Sequence, residues 1–246
     1  MAGMLYLVPT PIGNLNDISP RCRQTLAEAD FIAAEDTRVS LKLLNHLELK
    51  KSLVSYHEHN KAESGEKILA RILGGETCAL VTDAGSPAIS DPGEDLVRLC
   101  AGHDVTVCAI PGPCALVTAL SISGLPTGRF TFEGFLSVNK KSRQEHLTGL
   151  KDETRTMIFY EAPHKLLSTL QDLAAAFGAE RKISLCRELT KLHEEVRRTT
   201  LGEAAAYYAG NPPRGEFVLV VAGAEAAAED GCTFEDALAL VRARMD

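Results

Sequence analysis

The chain has 246 residues, 45% hydrophobic and 24% charged, a length and composition that admit one large globular domain or two smaller ones. Its first apolar run, residues 4–8, stops at Pro9 and is too short for a signal peptide or a membrane span. A net charge of −7 argues against indiscriminate nucleic-acid binding, and 5% aromatics with no Trp argue against a broad aromatic platform for bases.

The first half alternates strand and helix. Strands are predicted at residues 5–8, 31–34, 53–55, 78–81 and 105–110, each a short apolar run bounded by turn formers. Ser19-Pro20 opens a helix to about residue 29, with Ser as cap and Pro in its first turn. After Glu35-Asp36-Thr37-Arg38 comes a helix with Leu41, Leu44 and Leu47 on one side, and a third helix covers about residues 62–73. The loop after residues 78–81 is long for a strand-to-helix connection, which usually takes about 2–6 residues. Asp91-Pro92 ends it, with Asp91 as N-cap, Pro92 at the first helical position, and Glu94 and Asp95 facing the helix dipole. Pro111-Gly112-Pro113 breaks the fifth strand before an apolar helix at 115–122. This is βαβ logic, a mostly parallel sheet covered on both faces.

Ser123-Gly124-Leu125-Pro126-Thr127-Gly128 reads as a linker. Beyond it, strands are predicted near 131–135, 156–160, 183–187, 196–201 and 217–222, and helices near 141–150, 163–177 and 202–209. A hairpin around 191–194 makes the second sheet mixed. The expected division is an N-terminal α/β domain at 1–118, a C-terminal α/β domain at 119–225, and a helical tail at 226–246.

Charge is uneven: residues 1–123 carry 10 basic and 15 acidic side chains, residues 124–223 carry 14 and 12. The clusters Lys140-Lys141-x-Arg143, Arg181-Lys182 and Arg197-Arg198 are either solvated faces or a weak phosphate-facing surface. Seven cysteines, an odd number without a C-x-x-C pair, include Cys78, Cys100, Cys108 and Cys186 in apolar contexts, which points to free thiols and a reduced, cytoplasmic protein.

Polar loops that follow parallel strands share one sheet edge, so residues distant in sequence converge on one crevice. With loops of the second half opposite, a two-domain enzyme with its site in the cleft follows. Neither a P-loop nor a G-x-G-x-x-G turn nor a nucleophile elbow is present. His57-x-His59 lacks a third committed ligand, so no metal is expected.

The motifs Pro9-Thr10-Pro11-Ile12-Gly13-Asn14-Leu15, Glu35-Asp36-Thr37-Arg38, Tyr56-His57-Glu58-His59-Asn60 and Thr82-Asp83-Ala84-Gly85-Ser86-Pro87-Ala88-Ile89-Ser90-Asp91-Pro92-Gly93 fall in this order. They continue with Ile110-Pro111-Gly112-Pro113, Phe159-Tyr160-Glu161-Ala162-Pro163-His164, Arg187-Glu188-Leu189-Thr190-Lys191 and Gly215-Glu216-Phe217. Over about residues 4–223 the chain resembles the tetrapyrrole methylase superfamily, in its branch that methylates the ribose 2′-oxygen of a cytidine in the decoding region of small-subunit ribosomal RNA. The resemblance implies two α/β domains, parallel and mixed, S-adenosylmethionine in the cleft between them, a homodimer, and RNA as partner, within the assembled subunit. It implies cofactor contacts from Pro11, Asp83, Ala84, Gly85, Ser86, Ile110, Gly112, Cys114 and Ala115. From the second half it adds Tyr160, Glu161, Ala162, Leu189, Gly215, Glu216 and Phe217. Longer relatives carry a further C-terminal helical region, which implies weaker RNA grip here or more reliance on the dimer.

Methyl transfer to a ribose hydroxyl calls for a base within about 2.6–3.2 Å of the proton. Candidates on cleft-facing loops are Asp36, His57, Glu58, Glu188 and Lys191, with Arg38 orienting the nucleotide. Two readings of Lys191 stay open: Arg187 and a cationic cofactor lower its pKa enough to accept a proton, or it contacts phosphate or pairs with Glu188. Two other functions stay open: a methyltransferase for a small, tetrapyrrole-type molecule, and a catalytically silent cofactor- or RNA-binding module.

Overall fold

A computed structural model describes residues 3–225. Five strands, β1 (Met4–Leu7), β2 (Phe31–Ala34), β3 (Ser52–Ser55), β4 (Cys78–Val81) and β5 (Thr106–Ala109), form a sheet in the order β3-β2-β4-β1-β5. Every neighbouring pair in it is parallel. β2 and β4 are buried throughout, as apolar strands inside a doubly covered sheet must be. Between the strands run α1 (Pro20–Glu28), α2 (Thr37–His46), α3 (Lys61–Leu73) and α4 (Gly93–Ala101). One face of the sheet packs Leu5, Phe31 and Leu80 on Ile68, Ile72 and Leu96; the other packs Ile32, Ala79 and Val81 on Cys22, Leu26 and Leu44.

Ser19 caps α1 as expected, its hydroxyl accepting the Cys22 N–H at 3.1 Å. Two local expectations shift. Leu41 is 48% exposed while Leu44 and Leu47 are buried, because α2 lies with the Leu44–Leu47 side down. α4 starts at Gly93 rather than Pro92, and the Asp91 carboxylate holds the turn before it, accepting the N–H of Ala88 at 2.9 Å and of Gly93 at 2.8 Å.

The second sheet has the order β6-β7-β10-β8-β9, from β6 (Phe130–Phe135), β7 (Thr156–Glu161), β8 (Lys182–Arg187), β9 (Glu195–Thr200) and β10 (Phe217–Val221). β6 and β7 are parallel and the other pairs antiparallel, so the sheet is mixed. The helices α6 (Lys140–Gly149), α7 (Pro163–Phe177) and α8 (Leu201–Gly210) belong to this half, and Leu166, Leu170, Leu173 and Leu201 pack on Met157, Phe159, Leu185 and Leu219.

The opposite face of that sheet is covered from the first half. The helix α5 (Ala115–Ser123) places Leu116, Ala119 and Leu120 on Ile158, Cys186, Val218 and Val220, joined by Ile12 from the loop after β1. A division at residue 118 therefore falls inside a helix that packs with the second sheet. Arg198 closes its end, donating from Nε to the Ser123 carbonyl at 3.0 Å, where a cation suits the dipole. The expected tail at 226–246 lies outside the described residues.

Candidate functional site

The loops at the carboxyl edge of the first sheet are tied together before they meet the second half. Thr10 and Gly85 exchange both backbone hydrogen bonds, at 3.0 and 3.1 Å, and the Thr10 hydroxyl donates to the Thr82 carbonyl at 3.0 Å. Gly85 sits at φ 90°, a region that costs a residue with a Cβ, and an added Cβ would lie 3.4 Å from Ile12 Cγ2. Ser86 donates its hydroxyl to the Pro113 carbonyl at 3.0 Å, linking the loops after β4 and β5. Two further non-glycine residues of this loop, Ala88 and Ser90, have positive φ of 67° and 64°. Such conformations persist only where the surroundings impose them, here the Asp91 hydrogen bonds.

Between these loops and the second half lies a cavity of about 490 Å³. Ile12, Cys186, Leu189, Phe217 and Val218 form buried parts of its wall. Cys114 and Ala115 come from the start of α5, Tyr160 and Glu161 from the end of β7, Ala162 from the junction and Pro163 from the start of α7. The Tyr160 oxygen accepts the Leu116 N–H at 3.1 Å, filling the cap that the Cys114 side chain leaves open. Burial pushes the Tyr160 phenol up to about 12.

The lining is electronegative. Glu35, Asp83, Asp91, Glu161 and Glu216 all contribute to it, and among the described residues no Lys, Arg or His does. Burial raises the carboxyl pKa of both Asp83 and Asp91, opposed by backbone N–H donors. Asp91 Oδ2 is buried and, among the described residues, has no hydrogen-bond partner. Glu161 is fixed by the Ala162 N–H at 2.8 Å and by the Thr169 hydroxyl, which in turn accepts from Arg143 at 2.8 Å.

Twelve of the expected cofactor residues line the cavity: Asp83, Ala84, Gly85, Ser86, Cys114, Ala115, Tyr160, Glu161, Ala162, Leu189, Glu216 and Phe217. Four do not. Ile110 is buried in the core beneath, Pro11 precedes the lining residue Ile12, and Gly112 packs where a Cβ would meet Pro9 at 2.7 Å. Gly215, at φ 84°, lets the chain pass Glu188, whose Cγ would be 2.5 Å from an added Cβ.

None of Asp36, Arg38, His57, Glu188 and Lys191 lines the cavity. Asp36 and Arg38 pair at 2.6 Å; hydrogen bonds from Arg38 hold the Asp36 carboxyl far below the usual range, and its own N–H donates to Asp83 at 3.1 Å. His57 follows β3, an edge strand, and its Nδ1 is buried without a partner. Lys191 contacts Glu188 and Glu216, both at 2.8 Å. Burial by itself would lower the Lys191 pKa, but the two carboxylates outweigh it and the net shift is upward. Of the two readings of Lys191, the pairing with Glu188 is what the fold contains.

The basic clusters also divide. Arg143 is largely buried, bound to Asp172 at 2.6 Å; Arg197 stacks 3.8 Å from the Tyr207 ring centroid, and Arg198 is the helix cap already described. Lys140 and Lys141 stay exposed. Ile12, Glu35 and Ile89 lie on loops expected at the crevice without being singled out, whereas Phe135, Cys186 and Val218 were not expected in the site. For Phe135 a signal existed, since an isolated glycine in a strand, here Gly134, marks a bulge. Among the described residues no group of three His, Cys, Asp or Glu is placed to hold a metal ion, and no helix is long and apolar enough to cross a membrane.

The model of a family described as Tetrapyrrole (Corrin/Porphyrin) Methylases matches residues 4–205. A ribosomal RNA small subunit methyltransferase I of Synechocystis sp. is 52% identical over 222 residues, 90% of this chain and 80% of that protein. The protein of the same name from Escherichia coli O157:H7 is 46% identical over 230 residues, 93% of this chain and 80% of its own length. Among solved structures, the uroporphyrin-III C-methyltransferase of Thermus thermophilus complexed with S-adenosylhomocysteine superposes with TM-score 0.64 at 17% identity, over 89% of this chain and 97% of that one. A diphthine synthase does so with TM-score 0.68 at 14% identity, over 89% and 90%.

Proposed function

The chain belongs to the tetrapyrrole (corrin/porphyrin) methylase family, and from that premise we propose that it is an S-adenosylmethionine-dependent methyltransferase of small-subunit ribosomal RNA, acting on the ribose 2′-oxygen of a cytidine. The observation that carries the cofactor reading is the cavity lined by five carboxylates and no basic side chain. Such a lining suits a ligand with sulfonium and ammonium charges and repels a phosphorylated nucleotide. The unpartnered Asp91 Oδ2 fits a hydroxyl or ammonium donor.

S-adenosylmethionine, when bound, supplies an electrophilic methyl group. The chain's part is to orient and to exclude water, the two contributions that matter most to an in-line displacement. The buried Ile12, Leu189, Phe217 and Val218 make a dry wall, and the tied loops hold it still. Asp83, with its carboxyl pKa raised by burial and lining the cavity, is better placed to take the hydroxyl proton than the paired Lys191, which does not line it. Relatives at 46–52% identity with ribosomal RNA in their names favour RNA over a small macrocycle. The same reading makes the protein a cytoplasmic homodimer acting on the assembled subunit.

The test is transfer of labelled methyl groups to assembled small subunits, with mapping of the modified ribose. A label on a cytidine 2′-oxygen is expected; a label confined to tetrapyrroles, or no turnover of cofactor at all, would replace the proposal with one of its rivals.

A further inference from the structure

The exposed ring at the mouth of the cavity is there because of a bulge. In β6, Thr131 and Phe132 pair with Met157 and Ile158 of β7, but Gly134 instead of Glu133 stands opposite Phe159, and Phe135 stands opposite Tyr160. Gly134 takes φ 63°, which a residue with a Cβ resists. One inserted residue reverses the alternation of faces. In regular alternation Phe135 would share the face of Met157 and Phe159, which α7 covers. With the bulge it shares the face of Phe132, Ile158 and Tyr160, on the cleft side.

The Phe135 ring lies edge-on to Tyr160 with centroids 5.6 Å apart, lines the cavity, and is nevertheless 59% exposed. Burial of a Phe side chain stabilises a fold, and the bulge places this one where most of that gain is lost. Ile89, also lining the cavity, is 44% exposed, and Val138 a few residues on is 81% exposed. Lys140 and Lys141 follow at the N-terminus of α6, exposed and positively charged.

We propose that Phe135 is the stacking surface for an unpaired base of the substrate RNA at the mouth of the cavity, with Lys140 and Lys141 beside it for the backbone. This deepens the RNA methyltransferase reading and rests on it. Sequence-selective RNA recognition works mainly on single-stranded bases stacked on aromatic side chains, and a phosphate-bearing strand belongs at the rim, outside the carboxylate-lined interior. The buried wall residues Ile12, Leu189 and Phe217 offer the cofactor an enclosed place, which leaves the exposed ring for the substrate.

The chain contains no Trp, so Phe135→Trp introduces a single fluorophore at the mouth. Its emission should be quenched on titration with small subunits and unchanged by S-adenosylmethionine or its demethylated product. Phe135→Ala should raise the KM for small subunits by about 5-fold to 150-fold, the range of one lost base stack, with cofactor affinity and melting temperature unchanged. Phe135→Tyr should keep the parent KM, and Phe135→Leu, apolar but without a π face, should not. Quenching by cofactor alone, or a Leu variant as good as the Tyr variant, overturns the inference. If the parent methylates small subunits and Phe135→Ala does so equally well, the stacking role alone falls. A parent that transfers no methyl group to small subunits removes the RNA reading itself and the inference with it.

Discussion

Tyr160→Phe isolates one hydrogen bond that joins the two halves. The substitution keeps the ring and its contacts with Phe132 and Phe135, and deletes only the oxygen that accepts the Leu116 N–H. That N–H sits in the first turn of α5, where no side chain of the helix's own cap accepts, and Leu116 is buried. A buried donor left without a partner costs about 1–3 kcal/mol. Taking about 2 kcal/mol, and about 2–4 °C per kcal/mol for a chain of this size, the melting temperature should fall by about 4–8 °C. Urea denaturation should show a lower midpoint at unchanged slope, since the exposed area is the same. With the phenol pushed up to about 12, the hydroxyl is neutral at both pH 6 and pH 9, and the loss should be equal at the two. A midpoint indistinguishable from the parent would refute the capping role, and a loss confined to one pH would refute the neutral acceptor.

Gly85→Val forces a branched side chain onto φ 90° and against Ile12; the affinity for S-adenosylmethionine by calorimetry should drop, and an unchanged value would detach this loop from the cofactor. Lys140→Glu with Lys141→Glu should weaken RNA binding and flatten its salt dependence, whereas Arg143→Ala, which strands Asp172, should lower melting temperature and leave the salt slope alone. For the Glu188–Lys191 contact the signs are set by the shifts. The Lys191 hydrogen bond lowers the Glu188 pKa, so that contribution is present above the unfolded carboxyl value of about 4.3 and is lost as pH falls through the lower folded value. The Lys191 pKa is raised on balance, so its contribution holds below about 10.4 and is lost as pH rises through the higher folded value. Glu188→Gln should therefore flatten the acid limb of a melting-temperature series from pH 6 to pH 3, and an unaltered limb would show the contact is idle.

Local signals carried far in this chain. Ser19-Pro20 and Asp91 act through their own neighbours, so reading them needed only the next few residues. β2 and β4 are short apolar runs buried on both faces, and the ends of all five strands of the first sheet were legible to within a residue or two. What could not be read depended on partners far along the chain. Arg143 and Arg198 look like surface charges in sequence, and only the fold brings Asp172 and the end of α5 to them. Lys191 looked crowded by cations, but Glu216, distant in sequence, arrives beside it on the strand-leading turn of β10. Phe135 needed a register, and a register exists only once β6 has found β7.

The strand order of the second sheet has a consequence for how the protein is made. β10 is the last described strand in the chain and the middle one in space, between β7 and β8. Until residues 217–221 leave the ribosome, β7 and β8 present unpaired edges and α5 lacks the Val218 and Val220 that it packs on. The nascent chain is thus most prone to association just before β10 emerges, and it is then that a chaperone has most to hold. Because Phe217 and Val218 are also walls of the cavity, the cavity cannot exist before β10 docks. A ligand of the cavity can pull only on that docking step, and it cannot help the earlier strands to assemble.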